Sequence, residues 1–155
     1  MNDESDILQK NFRVAQVIWV AILAALVIYA MVGNALHGRD FVDSESIPLE
    51  LIRNILWAVT AATLIGSWIL RKRMLAASGL DGPLSEDEAG ARYRTVTMIG
   101  SGLCEAVGLF GLVLVLLGDS LQTLYLFVLV AAVAMLVHRP KITELECLAG
   151  GVGRG

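Results

Sequence analysis

Long apolar segments, separated by short polar stretches, make up most of the chain. A helix needs about 20 mostly apolar residues to cross the hydrocarbon core of a bilayer, which is about 30 Å thick. Four segments approach this length and predict membrane-spanning helices at residues 14–33, 49–70, 95–117 and 121–137. The pattern therefore predicts an all-α integral membrane protein in which four transmembrane helices pack as a bundle.

The composition agrees with a membrane environment. Of the 155 residues, 56% are hydrophobic and 17% are charged, whereas soluble domains average about 45–50% apolar and about 25% charged residues. The mean hydropathy is +0.69. The net charge is only −3, and no basic stretch is interleaved with aromatic residues, so we expect the lipid bilayer, and no nucleic acid, as a partner.

The positive charges predict the orientation of the chain. Ten of the twelve Lys and Arg residues lie in the N-terminal stretch, the loop between the second and third spans, or the C-terminal tail; the exceptions are Arg39 and Arg53. Because positive residues favour the cytoplasmic side, a multi-pass protein of the cell (inner) membrane with both termini cytoplasmic is predicted. The first span, preceded by Lys10 and Arg13, could instead be a cleaved signal peptide, but its apolar run exceeds the usual length of about 7–15 residues.

The chain is predicted to hold one membrane domain, residues 1–140, followed by a tail. The tail, residues 141–155, is polar and Gly-rich, and it is predicted to be disordered in the cytoplasm. Ahead of the third span, Ser85 and Glu88 have the spacing of a capping box, and acidic residues favour a helix N-terminus. The third helix is therefore predicted to begin near Glu86, before the membrane.

One ionisable residue, Glu105, lies in the middle of the third predicted span. A charged acidic side chain at the bilayer midplane disfavours insertion by about 2.5–3.5 kcal/mol, so we expect the neutral acid there. Its polar atoms must face other helices or a water-filled cavity. Ser101, together with Thr60 and Thr63 of the second span, is predicted to support Glu105 as an ion-binding group, with a hydrogen bond from the hydroxyl of Thr63, which lies at a similar depth.

Small residues occupy one stripe of the third span, with Glu105 at its edge. At about 100° per residue, the stripe consists of Thr97, Ser101, Cys104, Gly108 and Gly111. Small side chains allow another helix backbone to approach closely. The stripe is therefore predicted to be a helix-packing face, and we expect the chain to oligomerise through it.

The residues around Glu105 also carry a family resemblance. Arg94 precedes Glu105 in the third helix, Ala106 follows it, and the sequence Phe110-Gly111-Leu112-Val113 begins five residues downstream. This arrangement resembles the ion-binding helix of subunit c, the proteolipid of rotary ATP synthases, whose mid-membrane carboxylate takes up and releases a proton or sodium ion as a ring of subunits turns. The resemblance implies that Glu105 binds an ion. It is confined to the third span, since a further span follows here and the family's glycine repeat is absent.

Other chemistry is not indicated. His37 and His138 are predicted on opposite sides of the membrane, and the sequence holds no nucleophile–base arrangement, phosphate-binding loop or HExxH motif. Glu50 and Arg53 are predicted to form an i,i+3 pair at the interface. We therefore expect no catalytic site, no metal and no cofactor, and a protein that is not an enzyme.

Two hypotheses remain for the function. In the first, the chain is a membrane subunit that exchanges a proton or cation at Glu105 and forms a homo-oligomer or joins a larger membrane complex. In the second, it is a non-transporting accessory or scaffold protein in which Glu105 only fastens two helices.

Overall fold

The computed structural model describes residues 2–38, 48–76 and 86–148. Within these ranges the chain is helical and has no strand. The helices are α1 (Asn2–Leu36), α2 (Leu49–Ala76), α3 (Glu86–Leu116), α4 (Leu121–Val137) and α5 (Ile142–Leu148).

Three of these helices, α1, α2 and α3, are long and apolar enough to cross a membrane. The fourth, α4, coincides with the predicted span but has only 17 residues, which corresponds to about 25 Å at 1.5 Å per residue. The prediction of an all-helical protein of membrane character is confirmed at this level. The helices extend beyond the predicted apolar runs because the polar residues that flank those runs also favour helix.

The helix boundaries follow local signals. The third helix begins at Glu86, as predicted, while Ser85 of the predicted capping box lies outside the described residues. α3 and α4 are joined by a tight turn in which Gly118 adopts a φ of 98°, a conformation that favours glycine. Ser120 caps α4 by accepting a hydrogen bond from the backbone N–H of Thr123, as expected of a serine at this position.

α3 is the central helix of the bundle and packs against α1, α2 and α4. α1 runs parallel to it. Asn11 lies against Gly90 near one end of the pair, and Leu26 lies against Gly108 further along. The two helices therefore keep one register over their whole contact, and each position of α1 meets a defined level of α3.

α2 and α4 run antiparallel to α3. Arg92 of α3 donates from Nε to the carbonyl oxygen of Met74 at 3.0 Å, where α2 ends and α3 has just begun. α4 approaches α3 closely at Gly111, where an added Cβ would lie 2.7 Å from Cβ of Phe127 and 3.2 Å from Cα of Leu124. Only a residue without a side chain fits this crossing.

Residues 142–148 correct the prediction of a disordered tail. They form α5, and Leu145 is fully buried in a cluster with Ala15, Ala89 and Tyr93. The physical reason is the apolar spacing of Ile142 and Leu145, which lets one face of a short helix cover the open end of the bundle. Residues 149–155 of the predicted tail lie outside the described residues.

The predicted pair of Glu50 and Arg53 is also corrected. Arg53 forms its ion pair with Asp119, in the turn between α3 and α4, at an N–O distance of 3.6 Å. Asp119 is largely buried, whereas Glu50 is exposed. Because charges attract more strongly where water is excluded, Arg53 interacts more strongly with Asp119. The pair links the start of α2 to the end of α3.

Candidate functional site

Glu105 lies at the border between the buried and the exposed face of α3. Ser101, one turn earlier, is 1% exposed, whereas Leu109, one turn later, is 42% exposed. Gly102 has no neighbouring atom within 4 Å of the place where a Cβ would stand. Glu105 itself is half-buried, as expected of a residue at this border.

The carboxyl group is held by a tyrosine of α1. The hydroxyl of Tyr29 donates a hydrogen bond to Oε1 of Glu105 at 2.6 Å. Gly108, one turn further along α3, leaves room for the side chain of Leu26, and the ring of Tyr29 lies beside it. Side chains on a helix lean toward its N-terminus, so Tyr29 reaches back along α1 to the level of Glu105.

Tyr29 was not among the residues predicted for the site. Tyrosines near the ends of apolar runs are enriched at the membrane interface, so its place in the sequence gives no reason to assign it to the site. The pairing depends on the register between α1 and α3, for which the sequence holds no signal.

The predicted hydrogen bond from Thr63 is not formed. Thr63 is half-buried on α2, and the hydroxyl of Thr60 is buried without a hydrogen-bond partner. Neither threonine donates to Glu105. The hydrogen bond to its carboxyl group comes from Tyr29 of α1. The prediction matched these residues by depth alone, and depth does not decide which helix faces the carboxyl group.

Three hydroxyl-bearing side chains precede Glu105 along α3 at intervals of four residues. Tyr93, Thr97 and Ser101 are each 1% exposed, and successive positions are separated by about 6 Å along the helix axis. The hydroxyls of Thr97 and Ser101 have no hydrogen-bond partner. We call these residues and Glu105 the α3 polar row. Buried hydroxyls are normally satisfied, so this row is unusual for a packed helix face.

The predicted packing face of α3 is buried within the chain itself. Its members Thr97, Ser101, Cys104, Gly108 and Gly111 are all buried, and α1 and α4 cover them through residues such as Leu26 and Phe127. The expected close helix packing is therefore present. Within one chain this face is already occupied, and oligomerisation stays a prediction.

A second polar cluster closes the bundle where α3 begins and α4 ends, and we call it the Arg71 end. Arg71 donates to the carbonyl oxygen of His138 at 3.2 Å and pairs with Glu144 of α5 at 2.5 Å. The hydroxyl of Tyr93 donates to the carbonyl oxygen of Lys141 at 3.0 Å and accepts from its N–H at 2.7 Å. These bonds tie α2, α3 and α5 together.

The described residues offer no group of three or more His, Cys, Asp and Glu side chains able to hold a metal ion. His37 follows the end of α1, and His138 caps the end of α4. Since α1 and α4 run in opposite directions, the two histidines lie at opposite ends of the bundle. Cys104 is buried and unpaired in the core.

Comparisons with known proteins give no match. No protein-family model matches the chain. No curated protein and no solved structure is similar to it.

Proposed function

We propose that this chain is a four-span membrane protein in which Glu105 takes up and releases a proton near the middle of the membrane. The observation that carries the proposal is the state of the α3 polar row. The carboxyl group of Glu105 has one hydrogen bond, from Tyr29, and the hydroxyls one and two turns earlier on the helix have none.

The energetics favour a functional reason for Glu105. An acidic side chain at this depth disfavours insertion by about 2.5–3.5 kcal/mol when charged. A hydrogen bond between membrane helices contributes about 0.6 kcal/mol on average. The bond from Tyr29 therefore offsets only a small part of the penalty, and ionisable residues inside membranes are most often retained for function.

The donor set around Glu105 favours a proton over a metal cation. Hard cations such as Ca²⁺ and Mg²⁺ take about six or more oxygen ligands. Among the described residues, the hydroxyl of Tyr29 is the one protein oxygen bonded to the carboxyl group. A proton needs a single acceptor, and a hydroxyl donor beside it can hold the carboxylate after the proton leaves.

The α3 polar row supplies a direction for the exchange. The unpartnered hydroxyls of Thr97 and Ser101 lie between Glu105 and the Arg71 end. Each hydroxyl can both donate and accept, so water held between them would form a continuous hydrogen-bonded path. Since most Lys and Arg residues flank this end of the helices, we assign it to the cytoplasmic side. The resemblance of the third span to the proteolipid helix agrees with this assignment.

A second function is favoured by one observation. The 2.6 Å bond between Tyr29 and Glu105 joins α1 to α3, which is what a purely structural fastener would do. In that case the chain is an accessory or scaffold protein, and Glu105 keeps its proton permanently.

Labelling with a hydrophobic, carboxyl-specific carbodiimide distinguishes the two functions. The full-length protein in membranes is treated over a range of pH, and the labelled residue is identified by mass spectrometry. Exchange predicts labelling at Glu105 that decreases as the pH rises, abolished in Glu105→Gln and retained in the control Glu50→Gln, whose carboxyl group is exposed at the start of α2. A carboxyl group that never reacts in the folded protein supports the fastener.

Two substitutions of Glu105 also distinguish proton exchange from a structural role. Glu105→Gln keeps an acceptor for Tyr29 but has no proton to exchange, whereas Glu105→Leu removes both. Exchange predicts that proton uptake by vesicles reconstituted with the protein is lost in both variants. If Glu105→Gln retains uptake and assembly and only Glu105→Leu loses assembly, the proton-exchange proposal fails.

A further inference from the structure

A groove with three cationic side chains at its rim lies between the first half of α1 and the end of α4. Its volume is about 1050 Å³, and it is lined by Arg13, Arg139 and Lys141 together with apolar residues that include Val17, Val20 and Leu136. A smaller groove of about 530 Å³ shares Arg13 and Val17 and adds Lys10. The two grooves therefore meet on α1.

The cations of this groove are available for a ligand. The side chains of Arg13, Arg139 and Lys141 are all exposed, and none of them is paired with an acidic side chain in the part of the chain that the structure describes. This distinguishes them from Arg53 and Arg71, which are both in ion pairs. Three unpaired positive charges around one groove favour an anion.

The cations lie at one end of the groove and the apolar residues at the other. Arg13 immediately precedes the apolar run of α1, and Arg139 and Lys141 immediately follow α4. Further into the apolar runs, Val17, Val20 and Leu136 are 68%, 56% and 54% exposed. If α1 and α4 cross a membrane, the charged rim stands at the level of the lipid headgroups and the apolar wall at the level of the acyl chains.

The wall of the groove is held in place by a tryptophan. Trp19 lines the groove, and its Nε1 donates to the carbonyl oxygen of Met135 at 3.0 Å. This bond fixes α1 against the last turn of α4, so that the cations of both helices stay close to one another. The groove is therefore a feature of the packed bundle and not of either helix alone.

We propose that this groove binds an anionic phospholipid. Arg13, Arg139 and Lys141 hold the phosphate of the headgroup, for which guanidinium groups have matching geometry. An acyl chain lies along Val17, Val20 and Leu136. Basic pockets between membrane helices on the cytoplasmic side are suited to anionic headgroups. The groove does not include Glu105, so this inference stands independently of proton exchange.

Quenching of Trp19 fluorescence by brominated lipid tests the inference. The full-length protein with Trp57→Phe and Trp68→Phe, in which Trp19 is the only tryptophan, is reconstituted into phosphatidylcholine vesicles. A fixed fraction of the lipid is replaced by brominated phosphatidylglycerol or by brominated phosphatidylcholine. We expect stronger quenching by the anionic lipid, with a preference that decreases about fivefold per cation removed.

The test variant carries Arg13→Gln, Arg139→Gln and Lys141→Gln, and the matched control carries Lys72→Gln, Arg73→Gln and Arg94→Gln. Both lose three positive charges, and circular dichroism verifies that both fold. The preference for anionic lipid should be lost in the test variant and retained in the control. Equal quenching by the two lipids, or an equal loss in both variants, overturns the inference, since the latter would mean attraction to the whole surface and not to the groove.

Discussion

The Arg71 end and the surroundings of Glu105 both bury polar groups on α3, but the side chains of Arg71 and Tyr93 make more hydrogen bonds than that of Glu105. Nε2 of His138, also at the Arg71 end, is buried without a hydrogen-bond partner. At the Arg71 end, the guanidinium group binds both Glu144 and a carbonyl oxygen, and the hydroxyl of Tyr93 is both donor and acceptor. Around Glu105 one hydrogen bond serves the carboxyl group. The hydroxyls of Thr97 and Ser101, which lie between the two regions, have no partner.

This difference indicates that polar groups have two roles in the bundle, one structural and one suited to proton exchange. When a buried group makes several hydrogen bonds, losing one of its partners destabilises the fold, so the multiply bonded side chains of Arg71 and Tyr93 are suited to holding helices together. A group with few bonds can change protonation without breaking many others. The hydrogen bonding around Glu105 therefore suits exchange better than support, and the following predictions test this contrast from the largest expected effect to the smallest.

Removing the cation at the Arg71 end should have the largest effect on stability. Arg71→Met leaves Glu144 and the carbonyl group of His138 without their partner, and we expect the free energy of unfolding to decrease by about 3 kcal/mol. Unfolding in mixed micelles by titration with sodium dodecyl sulfate measures it. Arg73→Met, at an exposed position two residues on, is the control. If the two variants are equally stable, the cluster at the Arg71 end does not have the structural role proposed for it.

Packing, not hydrogen bonding, should dominate stability near Glu105. Gly111→Ala places a methyl group against Phe127 and the backbone of Leu124, which should separate α3 from α4 and decrease the free energy of unfolding by about 2 kcal/mol. Gly102→Ala is the matched control, since nothing lies within 4 Å of its Cβ position. The same unfolding titration applies, and a control as unstable as Gly111→Ala would point to a general effect of glycine replacement.

The same substitution at two tyrosines compares the regions directly. Tyr93→Phe leaves the N–H and carbonyl groups of Lys141 without this partner, and we expect a decrease of about 1.5 kcal/mol in the free energy of unfolding. Tyr29→Phe removes one bond to Glu105 and should decrease it by about 0.6 kcal/mol. A larger decrease for Tyr29→Phe than for Tyr93→Phe would reverse the contrast and favour the fastener function.

The ion pair at the opposite end of the bundle should contribute least. Arg53→Gln breaks the 3.6 Å contact with Asp119, but the guanidinium group is partly exposed, so we expect a decrease of only about 0.5 kcal/mol in the free energy of unfolding. The backbone N–H of Ser120 still donates to Asp119. The effect should diminish further in high salt, and its persistence there would indicate a more buried pair than the geometry suggests.

The helices themselves were predictable because their signals are local. The apolar runs and their polar ends placed α4 at residues 121–137 and the start of α3 at Glu86, both as the structure has them. The helix α5 was missed because it is short and Gly-rich sequence follows it. It depends on the burial of Leu145 against the bundle, which is a tertiary contact.

The candidate site was predictable only in part, for a related reason. Glu105 was found from the sequence because it is the one ionisable residue in a long apolar run. Its partner Tyr29 was not, because the sequence does not state which level of α1 meets which level of α3. The same limit affected Arg53, whose partner Asp119 lies on a distant turn and not on the neighbouring turn of its own helix.

The sequence by itself determined where the four long helices lie, which of them are apolar enough for a membrane, and where an acid interrupts them, since each depends on residues within a few turns of one another. Tertiary structure decided what each face contacts. The stripe of small residues on α3 is suited equally to a second copy of the chain or to a helix of the same chain. In the folded chain Gly108 packs against Leu26 of α1, and Gly111 packs against Phe127 of α4. The same packing of α1 on α3 brings Tyr29 beside Glu105.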